Sequence, residues 1–378
     1  MSEITEDTAM KVSTFSGFLQ EKFEFIFNGE KLSEKGAEIA AIFDTIPLYR
    51  FIGLPANTGR PPHSRMCILK SFLLKSSLNI MENKRLRETL LGNDELRKLC
   101  GWGEAHDVPS ESTFSRVFRD FAQANVAEKI HEYLIEAVFS DKIIMHISRD
   151  ATAVPAREKC KRKIKKQKVK GKRGRPPKGT PPKQKELTRL QKQLNQSLDE
   201  MVSELPLKCD TGNKTNSQGN PFYWRGYKLH TDFSDEGIPV SFMLTAASVH
   251  DSQVAIALTL MSSKRATYLY ELMDAGYDMN EIKTISKNFN HAPIIKPNNR
   301  RSKIKRELDP ASAKRYRVRT TAERGFSELK DNYGIEKSRF RGHAKIKTHI
   351  GFAVIVLTMR KIFQFGHKLE TVKQERIA

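Results

Sequence analysis

The sequence predicts an α/β fold, a mixed β-sheet with helices on both faces, preceded by a small helical domain and interrupted by a basic, disordered insert. Three observations support this fold class. Apolar residues recur at helical spacing between residues 60 and 122. From Lys142 onward, short β-type runs alternate with helical stretches. Seventeen basic and two acidic residues lie between Arg157 and Lys192, where almost nothing could form a core.

The helical region contains an apolar helix at 66–74 and a second, clearly amphipathic helix after Ser110. Ser110 is a suitable N-cap, and an apolar stripe with i, i+3, i+4 and i+7 spacing follows it. Its members are Phe114, Val117, Phe118 and Phe121. The pattern fits helix-turn-helix DNA binding, and it also fits a module that serves only for packing.

The α/β region is predicted from alternating strand and helix patterns. The expected strands are 143–147 (ending at Asp150), 224–232, 238–245, 269–273 and 292–295. The expected helices are 187–202, one capped by Asp251 or Ser252, one capped by Asp278, and a long one over 311–333. We therefore divide the chain into an N-terminal segment 1–45, a helical DNA-binding domain 46–135, an α/β domain 140–366 with the insert at 154–220, and a tail 367–378.

The net charge of +22 and the pI near 9.8 indicate an anionic polymer as partner, with nucleic acid the default. Within the insert, the segment 172–178 resembles an AT-hook, whose Arg173 and Arg175 would enter a narrow minor groove. A solvated linker is the alternative.

The four cysteines are widely spaced and form no CxxC pair, no apolar run is long enough for a membrane span, and the acidic start is not a signal peptide. We expect a cytoplasmic, nucleoid-associated protein.

Two aspartates follow predicted strands, where sites form in open α/β sheets. Asp150 closes the first strand and Asp274 the fourth, and two carboxylates brought together there either repel or bind a metal. Each could instead be a turn residue. Asp251 competes with Asp274, although an N-cap role would account for it. Asp210, in a Gly/Asn-rich loop, is a weaker rival.

The last predicted helix presents four functional side chains on one stripe. Tyr316, Arg319, Glu323 and Lys330 are spaced 3, 4 and 7 residues apart, which keeps them on one side of a helix. A separate apolar stripe would pack against the core. A surface salt bridge between Arg319 and Glu323 explains two of these four residues and leaves the others unexplained.

The spacing of these four residues matches the YREK signature of DDE transposases from bacterial insertion sequences. Further stretches resemble the same family: 148–152, 227–230, 248–252, 273–278 and 340–343. The helical stretch 60–122 is similar to the N-terminal domain of such transposases. The resemblance extends over roughly residues 45 to 366.

The resemblance implies a ribonuclease-H-like catalytic domain with Asp150, Asp274 and Glu323 as the metal-binding triad. Two Mg²⁺ ions, with Mn²⁺ as an alternative, would be bound there. Tyr316, Arg319 and Lys330 would hold phosphates.

The family resemblance also implies the activity and the partners. The expected protein binds terminal inverted repeats as a homodimer, cleaves DNA and joins the ends to target DNA. A non-catalytic DNA-binding protein and a nuclease without strand transfer are the alternatives.

The position of the large insert differs from that in familiar members of this family. Here a stretch of about 70 residues separates the first two predicted strands, and only about 15 separate the fifth strand from the glutamate helix. The aromatic-basic cluster 222–225 could stack a displaced base or pack into the strand core.

Overall fold

The computed structural model describes residues 32–53, 62–160, 187–215, 218–300 and 304–366. In this part of the chain we number the helices α1 to α13 and the strands β1 to β6. The helices are Glu34–Thr45, Arg65–Ser77, Asn83–Gly92, Asp94–Leu99, Glu111–Gln123, Val126–Phe139, Arg189–Gln193, Leu198–Glu204, Ser252–Arg265, Asn280–Asn288, Pro310–Tyr316, Thr320–Asp331 and His343–Gln364. The strands are Ile143–Pro155, Asp210–Thr215, Pro221–Phe233, Pro239–Ala246, Thr267–Met273 and Ala292–Ile295. Short 3₁₀ helices are Leu48–Phe51, Ala105–Asp107, Ala275–Tyr277, Arg317–Arg319 and Ile335–Lys337.

The six strands form one mixed sheet in the order β2-β3-β1-β5-β6, and β4 also pairs with β3. β1 is antiparallel to β3 and parallel to β5. Successive side chains of β1 point to opposite faces. Arg149 contacts α9 on one face, whereas Asp150 contacts the segment that leads into α12 on the other. Helices therefore cover both faces, and the predicted α/β class, consistent with a ribonuclease-H-like fold, is confirmed.

The helical region and the α/β region share a continuous apolar core. The ring of Phe72 on α2 stacks on Phe352 of α13, at 5.9 Å between centroids, and it also meets Phe118 of α5 edge-on at 4.9 Å. Ser110 caps α5 as predicted, its side chain accepting a hydrogen bond from the Thr113 amide. The sequence-based boundary between the two regions stays a prediction.

β1 is longer than the sequence indicates. It was expected to end at Asp150 but continues to Pro155, because residues 151–155 pair with β3. Asp150 therefore lies within a strand rather than at its end. β2 was not predicted, since its Gly/Asn-rich sequence is a poor strand former, and it exists by pairing with the first half of β3.

Two predicted helices are interrupted. The stretch 187–202 forms α7 and α8, because Ser197 starts a new helix with a capping box. The stretch 311–333 forms α11 and α12, separated by a 3₁₀ turn at Arg317–Arg319.

Two predicted helix caps differ from the structure. Asp251 occupies the N-cap position of α9, as predicted, but its side chain makes no capping bond. Asp278 lies outside α10 and accepts hydrogen bonds from the Asn298 amide and the Arg306 guanidinium.

Residues 161–186 of the predicted basic insert, with Arg173 and Arg175, lie outside the described residues, as do residues 1–31 and the tail 367–378. The prediction of disorder is wrong for 187–215, where α7, α8 and β2 form. Within the described ranges, no helix is long and apolar enough to cross a membrane. The longest apolar run of the sequence, 350–357, belongs to α13 and is buried throughout.

Candidate active site

Asp150 lies on β1, and Asp274 directly follows the neighbouring parallel strand β5 at the same level. Ser148 of β1 is in register with Leu272 of β5, so the residues two positions further along each chain are also level. Adjacent strands are about 4.8 Å apart. The pKa of Asp150 is raised chiefly by burial, and the negative charge of Asp274 raises it further. The two carboxylates therefore form a like-charged pair.

Local structure fixes both aspartates. Asp150 accepts a hydrogen bond from the Ala151 amide at 2.8 Å. Asp274 follows β5 directly and accepts one from the Gly276 amide, also at 2.8 Å. A Cβ at Gly276 would lie only 2.9 Å from that carboxylate oxygen, so glycine suits the turn.

The segment between α11 and α12 brings a cation to this pair. The Arg319 guanidinium donates to Asp150 at 3.0 Å and to Glu323 at 2.6 Å. Arg319 and Asp150 are each 17% exposed, whereas Glu323 is 57% exposed. The surface salt bridge expected from spacing does exist, but its arginine also reaches a partly buried carboxylate on another element. Arg319 thereby joins the helix to the strand.

Tyr316 and Lys330 have different surroundings. The Arg319 guanidinium lies 5.9 Å from the centroid of the Tyr316 ring. Burial raises the pKa of Tyr316, while the nearby Arg319 opposes that shift. Lys330, in contrast, pairs with Glu336 at 2.7 Å, away from Arg319. The structure thus gathers Asp150, Asp274, Tyr316, Arg319 and Glu323.

A buried ionic network lies on the other face of the same strands, and the sequence analysis missed it. Arg149 forms a bidentate pair with Asp232, at 2.7 and 2.8 Å, and lies 3.5 Å from Glu271. All three side chains are fully buried. Burial would raise the pKa of Glu271, but Arg149 and three side-chain hydrogen bonds bring it to about 2.

This network ties β1, β3 and β5 together directly behind the two aspartates. The sequence does contain a sign of this network, because a charged residue lies inside each of the three strands. A buried charge requires a partner, so three such residues indicate that they pair with one another.

The two rival aspartates are engaged elsewhere. Asp251 accepts from the Lys228 ammonium at 2.9 Å and lies 3.9 Å from His230. Asp210 accepts from the Ser248 hydroxyl at 2.6 Å.

The buried Tyr277 is close enough to Asp251, and to the pair of Asp150 and Asp274, for their charges to affect its hydroxyl. Burial raises the pKa of its hydroxyl, and the charges of Asp251, Asp150 and Asp274 add to the effect.

The donor set suits a hard divalent cation, because carboxylate oxygens are the preferred ligands of Mg²⁺. Nevertheless, across the described ranges no three His, Cys, Asp or Glu side chains are close enough together to hold a metal ion. Glu323, 57% exposed, is held by the partly buried Arg319 and not by the two aspartates.

Comparison with known protein families gives two matches. Residues 182–359 match the transposase DDE domain, and residues 28–120 match a transposase domain (DUF772). The first match includes Asp274, Arg319 and Glu323 and begins after Asp150. No curated protein matches the chain.

Both matches define the protein as a transposase, and the mixed sheet is consistent with a ribonuclease-H-like fold. More specifically, the chain belongs to the DDE transposases of insertion sequences, a family of enzymes that cleave and transfer DNA and generally use divalent metal ions.

Proposed function

We propose that this transposase cleaves DNA at the terminal inverted repeats of its element and joins the ends to target DNA, using Asp150, Asp274 and Glu323 as its catalytic triad. The observation that carries the proposal is the level position of the two aspartates on β1 and β5, with Arg319 linking Asp150 to Glu323. Two carboxylates at one level, with a third linked to them through Arg319, suit metal-dependent phosphoryl transfer once Glu323 turns toward the aspartates.

The three carboxylates would hold two Mg²⁺ ions, and Mn²⁺ could replace them. When bound, these ions would help to activate water or a DNA 3′-hydroxyl and would stabilise the charge on the leaving oxygen. β1, β5 and α12 supply one ligand each. The buried Arg149 network behind the strands restricts movement of the aspartates and so favours a fixed ligand geometry.

Three further side chains would contact DNA phosphates. Arg319 offers several donors beside Asp150 and can bind a phosphate when Glu323 turns toward the metal site. Tyr316 lies next to it. Lys330, on the same helix as Glu323, would contact a more distant phosphate in place of Glu336.

The helical region 46–135 is the proposed DNA-binding domain. Four exposed basic residues on α3 and α5 support this role: Lys84, Arg85, Arg116 and Arg119. Ser110 and the buried phenylalanines of α5 keep its basic side facing solvent. The basic insert, with Arg173 and Arg175, would add affinity that depends little on base sequence. Two ends must be joined in one complex, so the active form would be a homodimer in the nucleoid.

The test compares the wild-type protein with Asp150→Asn on duplexes that end in the element's own repeat. With Mg²⁺, the wild-type protein should nick the duplex and join it to a second duplex, whereas Asp150→Asn should do neither. Both should shift the duplex equally in a mobility assay, since a lost carboxylate does not weaken a phosphate contact.

Nicking without joining by the wild-type protein would indicate a nuclease. Binding without either reaction would indicate a DNA-binding protein. Full activity of Asp150→Asn would remove Asp150 from the site.

A further inference from the structure

Two cysteines lie side by side next to the ends of β1 and β2. The Sγ atoms of Cys160 and Cys209 are 3.8 Å apart, although the two residues lie 49 positions apart in the chain. Both cysteines are free, and both are partly buried. The sulfurs of a disulfide are about 2.05 Å apart, so an approach of less than about 2 Å would bring these two to bonding distance.

The sheet is what brings the two cysteines together. β1 and β2 flank β3 and are both antiparallel to it, so they run in the same direction. Gly226 of β3 pairs with Pro155, the last residue of β1, and with Asp210, the first residue of β2. Cys209 therefore directly precedes β2 at the level where β1 ends, and Cys160 reaches it shortly after the end of β1.

Both chain segments are held in place by hydrogen bonds. Glu158, two residues before Cys160, accepts from the Tyr227 hydroxyl at 3.1 and 3.2 Å and from the Gly342 amide at 2.7 Å. On the other segment, the Pro206 carbonyl accepts from the amide of the last residue of β4 at 2.8 Å. The spacing of the two thiols is thus set by β3, β4 and the start of α13.

We propose that Cys160 and Cys209 are a redox-sensitive pair, which a hydroperoxide such as hydrogen peroxide oxidises to an intramolecular disulfide. The Cys160 thiolate attacks one peroxide oxygen, so that the O–O bond breaks, a sulfenic acid forms, and the departing hydroxide takes up a proton to become the first water. The Cys209 sulfur then attacks the sulfur of the sulfenic acid. The S–S bond forms, the S–O bond breaks, and the oxygen leaves with the Cys209 proton as the second water. The two thiols lose two electrons and two protons, and the peroxide is reduced to two molecules of water.

The surroundings of the two thiols determine the order of these steps. Burial raises the pKa of the Cys209 thiol to about 12, and the neighbouring Cys160 adds to this shift. Because the thiolate is the nucleophile, Cys209 is a poor first attacker, and Cys160 is the thiol that reacts with peroxide. In the second step the Cys209 proton passes to the departing oxygen, since the two sulfurs are already in contact.

The disulfide would close a loop that contains α7 and α8 and would join the two segments that flank β3. A cross-link between residues far apart in sequence restricts the unfolded chain more than one between close residues. Oxidation should therefore stabilise the α/β region and raise the thermal midpoint by about 5 °C. This inference is independent of the proposed function, because neither thiol belongs to the candidate active site.

The experiment treats the full chain with hydrogen peroxide, removes the excess with catalase, and blocks the remaining thiols with iodoacetamide in denaturant. The wild-type protein should lose two of its four thiols. Cleavage after glutamate without reduction should then give one linked pair of peptides, 159–186 with 205–236, which dithiothreitol separates. The thermal midpoint should rise on oxidation and return after reduction.

Single serine variants test the pair and the order of the steps. Cys209→Ser should form no disulfide and should accumulate a sulfenic acid on Cys160, which a cyclic 1,3-diketone traps. Cys160→Ser should give neither product. Cys67→Ser is the matched control, since that cysteine is also free and partly buried, and it should form the disulfide like the wild type.

Three results would overturn the inference: a linked peptide that contains Cys67 or Cys100, sulfinic acids at positions 160 and 209 in place of the disulfide, or a sulfenic acid trapped on Cys209 in Cys160→Ser. An unchanged midpoint in the cross-linked protein would reject the stabilising effect. The linked peptide and the midpoint are measured on the wild-type chain, so a serine variant that fails to fold does not remove the test.

Discussion

Asp274 and Asp251 differ in what surrounds them, and the difference favours Asp274 as the proposed second carboxylate. Asp274 directly follows β5, level with Asp150, and its only described side-chain hydrogen bond comes from a backbone amide. Asp251 is paired with Lys228. The sequence-based reason for preferring Asp274 was that an N-cap role would account for Asp251, and Asp251 does occupy the N-cap position of α9 but makes no side-chain capping bond. The preference is retained on different grounds, because a lysine partner already neutralises Asp251.

The first prediction compares Asp274→Asn with Asp251→Asn. Asp274→Asn should reduce nicking of end-bearing duplex in Mg²⁺ by a factor of about 10³ or more, because a lost ligand weakens the metal pair. Its thermal midpoint should not fall, since one member of a repulsive pair has been removed. Asp251→Asn should instead lower the midpoint, because it leaves the Lys228 ammonium without its carboxylate. Normal nicking in Asp274→Asn together with loss in Asp251→Asn would reverse the assignment.

Arg319 and Lys330 were predicted together from one helical stripe, but their partners differ. Arg319 bridges two elements at a partly buried position, and Lys330 forms a half-exposed pair with Glu336. Spacing along the chain could identify which residues share a side of the helix. It could not reveal the 3₁₀ turn, which separates Tyr316 from α12, or the competing glutamate at position 336.

The second prediction is that Arg319→Ala lowers single-turnover cleavage at least tenfold, and that Arg319→Lys restores only part of it, since a lysine cannot reproduce two parallel donors. Lys330→Ala should reduce cleavage less, and breaking its pair with Glu336 should change stability by less than about 1 kcal/mol. Thermal unfolding measured in parallel separates loss of fold from loss of chemistry. Unchanged cleavage in Arg319→Ala with a slightly lower thermal midpoint would show that Arg319 only forms structural ion pairs.

At the scale of elements, α12 must approach the sheet closely for Glu323 to reach the aspartates. Gly325 lies where α12 crosses β3, and a Cβ there would be 2.4 Å from the Phe233 ring. The rings of Phe233 and Phe326 meet edge-on at 5.2 Å between centroids. The sequence predicted the apolar stripe of this helix correctly, but contact at Gly325 depends on the strand opposite it, which no local pattern encodes.

The third prediction is that Gly325→Ala destabilises the protein by about 1–3 kcal/mol and lowers cleavage beyond that loss of fold, because overpacking moves α12 away from β1. Phe233→Leu combined with Gly325→Ala should recover part of both, since the smaller side chain leaves room. Gly92→Ala is the control, because a Cβ there meets nothing within 4 Å. Chemical denaturation and cleavage rates are the measurements. Gly325→Ala with wild-type stability would show that the helix tolerates a wider spacing.

At the scale of the whole molecule, local patterns predicted the fold class, and non-local contacts explain the differences. Strands rich in β-branched and apolar residues, such as β4 and β5, were found near their predicted positions. The last five residues of β1 are a strand only because they pair with β3, far away in sequence, and β2 is a strand because it pairs with β3, which follows it directly.

The sequence singled out the carboxylates and the arginine of the candidate site, and their catalytic role stays a prediction. The ionic network around Arg149 depends on residues 232 and 271 meeting in three dimensions, which periodicity alone does not give.

The charge of the whole chain is concentrated in one segment, and the fourth prediction concerns its effect on DNA affinity. Residues 161–178 carry eleven positive and no negative charges. Replacing them with a Gly/Ser stretch of equal length keeps the connection between Cys160 and Leu187 while removing that charge. If about five of the eleven contact phosphates, the log–log salt slope of duplex binding should flatten by roughly 4 to 5.

Cleavage of a pre-bound end at low salt should persist in the Gly/Ser variant, because the carboxylates lie elsewhere.

Changing only Arg173 and Arg175 to Ala should alter the salt slope less. It should weaken binding to A·T-rich DNA selectively, because a narrow minor groove attracts arginine. The measurement is affinity against salt concentration on A·T-rich and G·C-rich duplexes. A slope that does not respond to the Gly/Ser replacement would make the segment a spacer. Equal weakening on both duplexes in the double arginine variant would reject the AT-hook while leaving the electrostatic contribution in place.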